Sequence, residues 1–170
     1  MYHKIAHLGL FTAAAILLGY IESLIPFFAG IPGMKLGLSN LMIVFILYLY
    51  SWREAVSVSV IRVFVIGFLF GNLFSIAFSM GGALFSIIIM TIFSKIKGFS
   101  VLGVSIAGGC AHNIAQVIVA AFVMHSFMII PYYLPVLLVS GVVTGLLIGL
   151  VSREMIKRLK PIFIQNREHI

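Results

Sequence analysis

The polar residues best suited to chemistry lie together in the apolar stretch G-G-C-A-H-N-I-A-Q, which runs from Gly108 to Gln116. His112, Asn113 and Gln116 fall near the middle of a long hydrophobic run, where polar groups are costly unless they face protein, a cavity or a ligand. His112 and Gln116 are four residues apart, and Gly108 lies one turn earlier, so a helix places all three on one face. The pattern indicates either a tight helix contact or a pocket wall, and the pocket is our working hypothesis.

The composition indicates an integral membrane protein. Hydrophobic residues make up 62% of the 170 residues and charged residues only 9%, whereas a soluble domain has about a quarter charged residues. Several apolar runs approach the roughly 20 residues that cross a bilayer. The net charge of +7 does not indicate a nucleic-acid partner, because the basic residues cluster at the ends of predicted helices.

We predict an all-α, polytopic six-transmembrane-helix bundle, with residues 1–170 forming a single integral membrane domain. The predicted spans are about 4–23, 38–50, 54–70, 73–92, 101–124 and 134–151. Lysine and arginine are concentrated on one side of this arrangement, which the positive-inside rule assigns to the cytoplasm. We therefore expect a multi-pass protein of the cell membrane with both termini cytoplasmic.

Small residues at four-residue spacing predict faces for close helix packing. The first span carries Ala15 and Gly19, and the sixth carries Gly141, Gly145 and Gly149. We expect one of these faces to dock a partner protein.

An arginine near the centre of the third span requires a polar partner. Arg62 would cost at least about 2.5–3.5 kcal/mol at the centre of a membrane helix if unpaired. Glu22 is the only acidic residue expected on the outer side, and an anionic ligand is the alternative partner. The candidate binding residues are Glu22, Lys35, Asn40, Arg62, His112, Asn113 and Gln116.

Structural roles for the same residues remain open. Arg62 can pair with Glu22 for stability alone, and His112 can be an interhelical hydrogen-bond donor or acceptor. Lys35 can lie in solvent, and Asn72 fits a turn residue. If Arg62 and Lys35 do line a site, they favour an anionic or strongly polar ligand.

The sequence offers no pattern for metal, cofactor or catalytic chemistry. It contains no aspartate, and His112 has no second histidine or carboxylate at metal-ligand spacing. The single cysteine, Cys110, excludes an internal disulfide. Without a P-loop the chain cannot drive ATP-dependent work by itself. We expect a protein that is not an enzyme and holds no metal or cofactor.

Longer motifs connect the sequence with a known family. The segments I-E-S-L-I-P-F-F-A-G-I-P-G-M-K-L-G-L-S-N, R-V-F-V-I-G-F-L-F-G-N, S-I-A-G-G-C-A-H-N-I-A-Q and Y-Y-L-P-V-L-L-V-S-G-V-V-T-G-L resemble the Gx transporter family. This family is also labelled heptaprenyl diphosphate synthase component I, and the resemblance covers about residues 10–151. The family is in turn similar to the S components of energy-coupling factor (ECF) transporters. Those six-helix proteins bind vitamins or related small molecules and dock on a transmembrane coupler with two ATPases.

The two family labels imply different functions. The transporter label implies capture of a small polar or anionic molecule from the outer side, beneath the first loop as a lid. The synthase label implies a prenyl synthase partner, whose catalytic subunit would hold magnesium in aspartate-rich motifs. A chain without aspartate cannot be that subunit, because magnesium prefers carboxylate oxygens.

Small-molecule capture is our leading hypothesis at this stage. The alternative is a non-catalytic accessory component in isoprenoid or quinone metabolism. A third possibility is a membrane scaffold in a redox system, which would carry no electrons itself because the chain has no haem or iron–sulfur ligand set. The implied partners are a small-molecule ligand, membrane lipid, and either an ECF-type coupler with ATPases or a prenyl synthase. The sequence does not identify the ligand.

Overall fold

Six α-helices are present in the computed structural model, which describes residues 2–24 and 36–168, with side chains described for 4–24 and 36–163. The helices are α1 (Tyr2–Leu24), α2 (Asn40–Leu49), α3 (Trp52–Phe70), α4 (Leu73–Ser94), α5 (Val101–Val123) and α6 (Ile129–Glu168). This confirms the all-α class and the predicted number of helices.

Four of the described helices contain segments long and apolar enough to cross a membrane. The candidate spans are Lys4–Leu24, Leu73–Ser94, Val101–Val123 and Ile129–Phe163. With 10 residues, α2 is shorter than a bilayer crossing requires. The sequence of α3 includes Arg53, Glu54 and Arg62. The chain is therefore a multi-pass membrane protein, while a crossing by α2 and α3 stays a prediction.

The shortest helix is also among the most buried. Phe45 on α2 is fully buried, and its ring packs edge-to-face on Phe11 of α1, with centroids 5.3 Å apart. Phe163 of α6 approaches the same two rings. A helix that is hydrophobic on all sides lies in a protein core or in lipid, and α2 packs against α1, α3 and α6.

The last helix is longer than the predicted sixth span of 134–151. Pro131 does not delay its start, because backbone N–H groups in the first turn have no helical acceptor in any case. Pro135 lies inside the helix and removes one backbone hydrogen bond. Beyond residue 151, apolar side chains recur at helical spacing and pack on the core. These side chains are Met155, Ile156, Leu159 and Phe163.

The glycine row of α6 packs against α5. A Cβ on Gly145 would lie 2.7 Å from the Cα of Ile106, and one on Gly149 would lie 3.0 Å from the Cα of Leu102. A Cβ on Gly141 would lie 3.0 Å from the carbonyl oxygen of Gly109. These neighbours are backbone atoms, so neither helix can admit a side chain without moving apart.

The small-residue face of α1 is covered as well. Ala15 is fully buried, and a Cβ on Gly19 would clash with the Ile66 side chain of α3. Both faces expected to dock a partner are therefore occupied by helices of the same chain. Small residues allow the backbones of two helices to approach each other, whichever chain the second helix belongs to. Here the second helix belongs to the same chain.

We expect Gly145→Ala to destabilise the protein by about 1–3 kcal/mol, because the added methyl group meets backbone atoms of α5. The matched control is Gly9→Ala on α1, where a Cβ meets nothing within 4 Å. Replacing that glycine should stabilise the helix by up to about 1 kcal/mol. Thermal unfolding of the purified protein in detergent measures both changes. An unfolding temperature of the Gly145→Ala variant equal to that of the unsubstituted protein would contradict the close packing of α5 and α6.

Candidate functional site

Arg62 is buried inside the molecule and links α3 to α2 through a hydrogen bond. Its side chain is 5% exposed, and its Nη1 donates a hydrogen bond to Oδ1 of Asn40 on α2 at 3.2 Å. Glu22 on α1 acts electrostatically on the guanidinium group. Three of the predicted site residues, Glu22, Asn40 and Arg62, are thus brought together.

A glycine positions the carboxylate and amide of this group. The backbone N–H of Gly37 donates to Oε1 of Glu22, and its carbonyl oxygen accepts from the N–H of Asn40 at 2.8 Å. Gly37 has a φ of +72°, a left-handed conformation that L side chains adopt at a cost. A Cβ there would also lie 3.2 Å from Cδ1 of Ile148. The turn into α2 therefore depends on glycine at this position.

The guanidinium group of Arg62 has more hydrogen-bonding capacity than its bond to Asn40 uses. Among the described residues, the bond to Asn40 uses one of the five N–H donors of Arg62. Arginine recognises carboxylates and phosphates through paired N–H donors. The cluster can therefore serve as a structural tie between helices, as an anion site, or as both.

The polar residues of α5 face two different helices. His112 and Gln116 lie over Gly82 of α4, where a Cβ would be 2.8 Å from Cε1 of His112 and 2.9 Å from Cγ of Gln116. Asn113 turns to α6, and its Nδ2 donates to the carbonyl oxygen of Leu137 at 2.6 Å. Gln116 is 1% exposed, and its Oε1 has no hydrogen-bond partner within the described chain.

The described contacts connect the predicted site residues in two sets. Those of the Arg62 group join α1, α2 and α3, and those of His112 and Gln116 join α5 to α4. Helix α4 packs on both α3 and α5. Lys35 lies outside the described residues. A single site built from all seven residues stays a prediction.

A cavity of about 390 Å³ opens between α4, α5 and α6. Its lining residues are Asn72, Phe74, Ser75, Phe78, Val117, Ala120, Met124, Ile129, Tyr133 and Leu137. Asn72 caps α4, with its Oδ1 accepting from the N–H of Ser75 at 2.8 Å. Sequence reasoning missed this cavity, because an apolar residue in a membrane helix reads the same whether it faces lipid or a void.

Within the described residues, no group of three or more histidine, cysteine, aspartate and glutamate side chains is placed to hold a metal ion. The fold and the buried polar groups define an all-α, multi-pass membrane protein with a buried arginine cluster.

A family model, heptaprenyl diphosphate synthase component I, matches residues 11–155. The chain belongs to the heptaprenyl diphosphate synthase component I family. This confirms the resemblance predicted from the sequence motifs, and the family name implies association with a heptaprenyl diphosphate synthase as an accessory subunit. No curated protein and no solved structure matches the chain. The wider similarity to ECF S components stays a prediction.

We expect Glu22 and Arg62 to be coupled in stability. Removing one partner of a buried charge pair costs about 3–5 kcal/mol, whereas replacing both partners with apolar groups is often close to neutral. Glu22 is only partly buried, so Glu22→Gln should cost less, about 1–3 kcal/mol. The double variant Glu22→Gln/Arg62→Met should lose much less unfolding free energy than the sum of the losses in the two single variants.

The control for this cycle is Glu154→Gln, which breaks an exposed pair with Arg158. Exposed pairs contribute about 0–1 kcal/mol, so the unfolding temperature of this variant should be close to that of the unsubstituted protein. Additive losses in the Glu22/Arg62 double variant would show that the two groups are not coupled.

Proposed function

We propose that the protein is a non-catalytic membrane component that works beside a heptaprenyl diphosphate synthase in isoprenoid or quinone metabolism. The observation that carries the proposal is the family match over residues 11–155. The absence of aspartate assigns magnesium-dependent chain elongation to a separate subunit, since magnesium is held by carboxylates and substrate phosphates.

The chemistry of the product supports a membrane component. Each CH₂ group that leaves water for an apolar phase gains about 0.8 kcal/mol. A long prenyl chain released by a soluble enzyme must therefore enter the bilayer, and an integral subunit can hold the enzyme at that surface. Exposed basic residues on α6, Arg153, Lys157 and Arg158, offer a positively charged surface to such an enzyme or to anionic lipid.

We expect prenyl synthase activity to co-purify with the affinity-tagged protein from native membranes. Chain elongation is measured with labelled isopentenyl diphosphate and an allylic diphosphate. Membranes lacking the protein should retain less synthase activity, with the difference recovered in the soluble fraction. A mock purification from untagged cells is the control. Recovery of two ATPases and a transmembrane coupler, without a synthase, would overturn the proposal.

A second candidate function is the capture of a small polar or anionic molecule in the manner of an S component. The observation that favours it is the buried Arg62, held between Asn40 and Glu22 with donors left over for an anion. Native mass spectrometry of freshly extracted protein identifies the molecule that accompanies the chain.

For a ligand identified in this way, we expect Arg62→Ala to weaken binding by at least about tenfold, which corresponds to one lost charge-assisted interaction. Arg53→Ala is the matched control, because Arg53 lies on the same helix and is exposed. Isothermal titration calorimetry compares the two variants with the native protein. Equal affinity of all three would exclude Arg62 from the binding site.

A further inference from the structure

The cavity between α4, α5 and α6 differs in chemistry from the Arg62 cluster. No charged side chain is among the described residues that line it. Most of its wall consists of aliphatic and aromatic groups, including Phe74, Phe78, Val117 and Leu137. Such a wall offers no counter-charge to an anion, and a buried unpaired charge is strongly unfavourable.

The few polar groups of the cavity lie near the first turns of α4 and α6. Asn72 and Ser75 belong to the turn that starts α4, and Tyr133 lies in the second turn of α6. One acceptor of Asn72 is already used to cap the helix. The remaining donors and acceptors can meet a hydrogen-bonding group, while the rest of the cavity can meet only hydrocarbon.

The volume of the cavity is sufficient for a small molecule, and the cavity is partly open, since its lining residues Phe74, Met124 and Tyr133 are 42%, 62% and 41% exposed. An apolar cavity of about 150 Å³ in another protein stays dry and binds benzene. The present cavity, at about 390 Å³, lies within the range of small-molecule pockets. All three helices that form its walls contain candidate membrane spans, so hydrocarbon chains of lipid are among the molecules that can reach it.

We propose that this cavity binds an uncharged amphiphile, a hydrocarbon chain with a single hydrogen-bonding group at one end. An isoprenoid alcohol and a straight-chain lipid alcohol share this chemistry. Transfer from lipid to the cavity gains nothing from leaving water, so the affinity comes from packing and from the polar end. The inference does not rest on a synthase partner, because binding is measured on the isolated protein.

The test is equilibrium binding of tritiated farnesol to the purified full-length protein in detergent. Ala120 lines the cavity and carries a small side chain, so Ala120→Trp fills the void. Ile118→Trp is the matched control, since it adds the same ring two residues away at an outward position that is 41% exposed. We expect Ala120→Trp to weaken farnesol binding by at least about tenfold and Ile118→Trp to leave it unchanged. Ala120→Leu, which fills less of the void, should give an intermediate loss and guards against misfolding of the larger variant.

Competition experiments identify the source of the ligand. Displacement by unlabelled farnesol but not by dodecanol supports an isoprenoid occupant, and equal displacement by both supports a lipid chain of either kind. Farnesyl diphosphate should compete less well than farnesol, because the cavity lacks positive charge. The proposal would be overturned if both Ala120 variants bound farnesol as tightly as the unsubstituted protein. Tighter binding of farnesyl diphosphate than of farnesol would overturn it as well. Loss of synthase co-purification would leave this binding result unchanged, so the two proposals fail separately.

Discussion

The burial of the Arg62 guanidinium is the constraint on which the arrangement of the first three helices depends. A charged group loses its hydration when a helix bundle encloses it, and this cost is offset only by polar partners at defined positions. Asn40 supplies an acceptor from α2, and Glu22 supplies opposite charge from α1. Gly37 in turn holds Glu22 through its backbone N–H. Moving any of these helices away would leave the arginine uncompensated.

The second half of the chain is held together by close packing instead of charge. The backbones of α5 and α6 meet at Gly109, Gly141 and Gly145, where no side chain separates them. In a bilayer, helices gain little from leaving lipid, so dispersion contacts at short range provide most of the association. These glycine faces pack within the chain, and docking of a partner protein on them stays a prediction.

Two regions of different chemistry follow from this division. The Arg62 cluster is charged and polar, whereas the cavity between α4, α5 and α6 is almost entirely apolar. Under the proposed function, the protein would meet both diphosphates at the membrane surface and hydrocarbon chains within the bilayer. The chain contains no aspartate, so the proposed function leaves magnesium-dependent catalysis to another subunit.

The membrane class, the helical content and several helix ends could be predicted from the amino-acid sequence alone. The predicted starts of α4 at residue 73 and α5 at residue 101 agree with the structure, because Asn72 and Ser100 cap those helices through their side chains. Hydropathy also indicated that Arg62 needs a partner and that Glu22 was available. These properties depend on residue type and local spacing, which a sequence contains directly.

Which helices are neighbours depends on the three-dimensional packing of the chain and could not be predicted from the sequence. In the folded chain, Asn113 contacts α6 and Gln116 contacts α4. The glycines of α6 pack against α5, and a cavity lies beside Ala120. Helix α6 continues beyond residue 151, and this extension is stabilised where Phe163 packs against the rings of Phe11 and Phe45. In a membrane helix an apolar side chain satisfies lipid, a neighbouring helix or a cavity equally well, so the pattern of apolar residues does not distinguish between them.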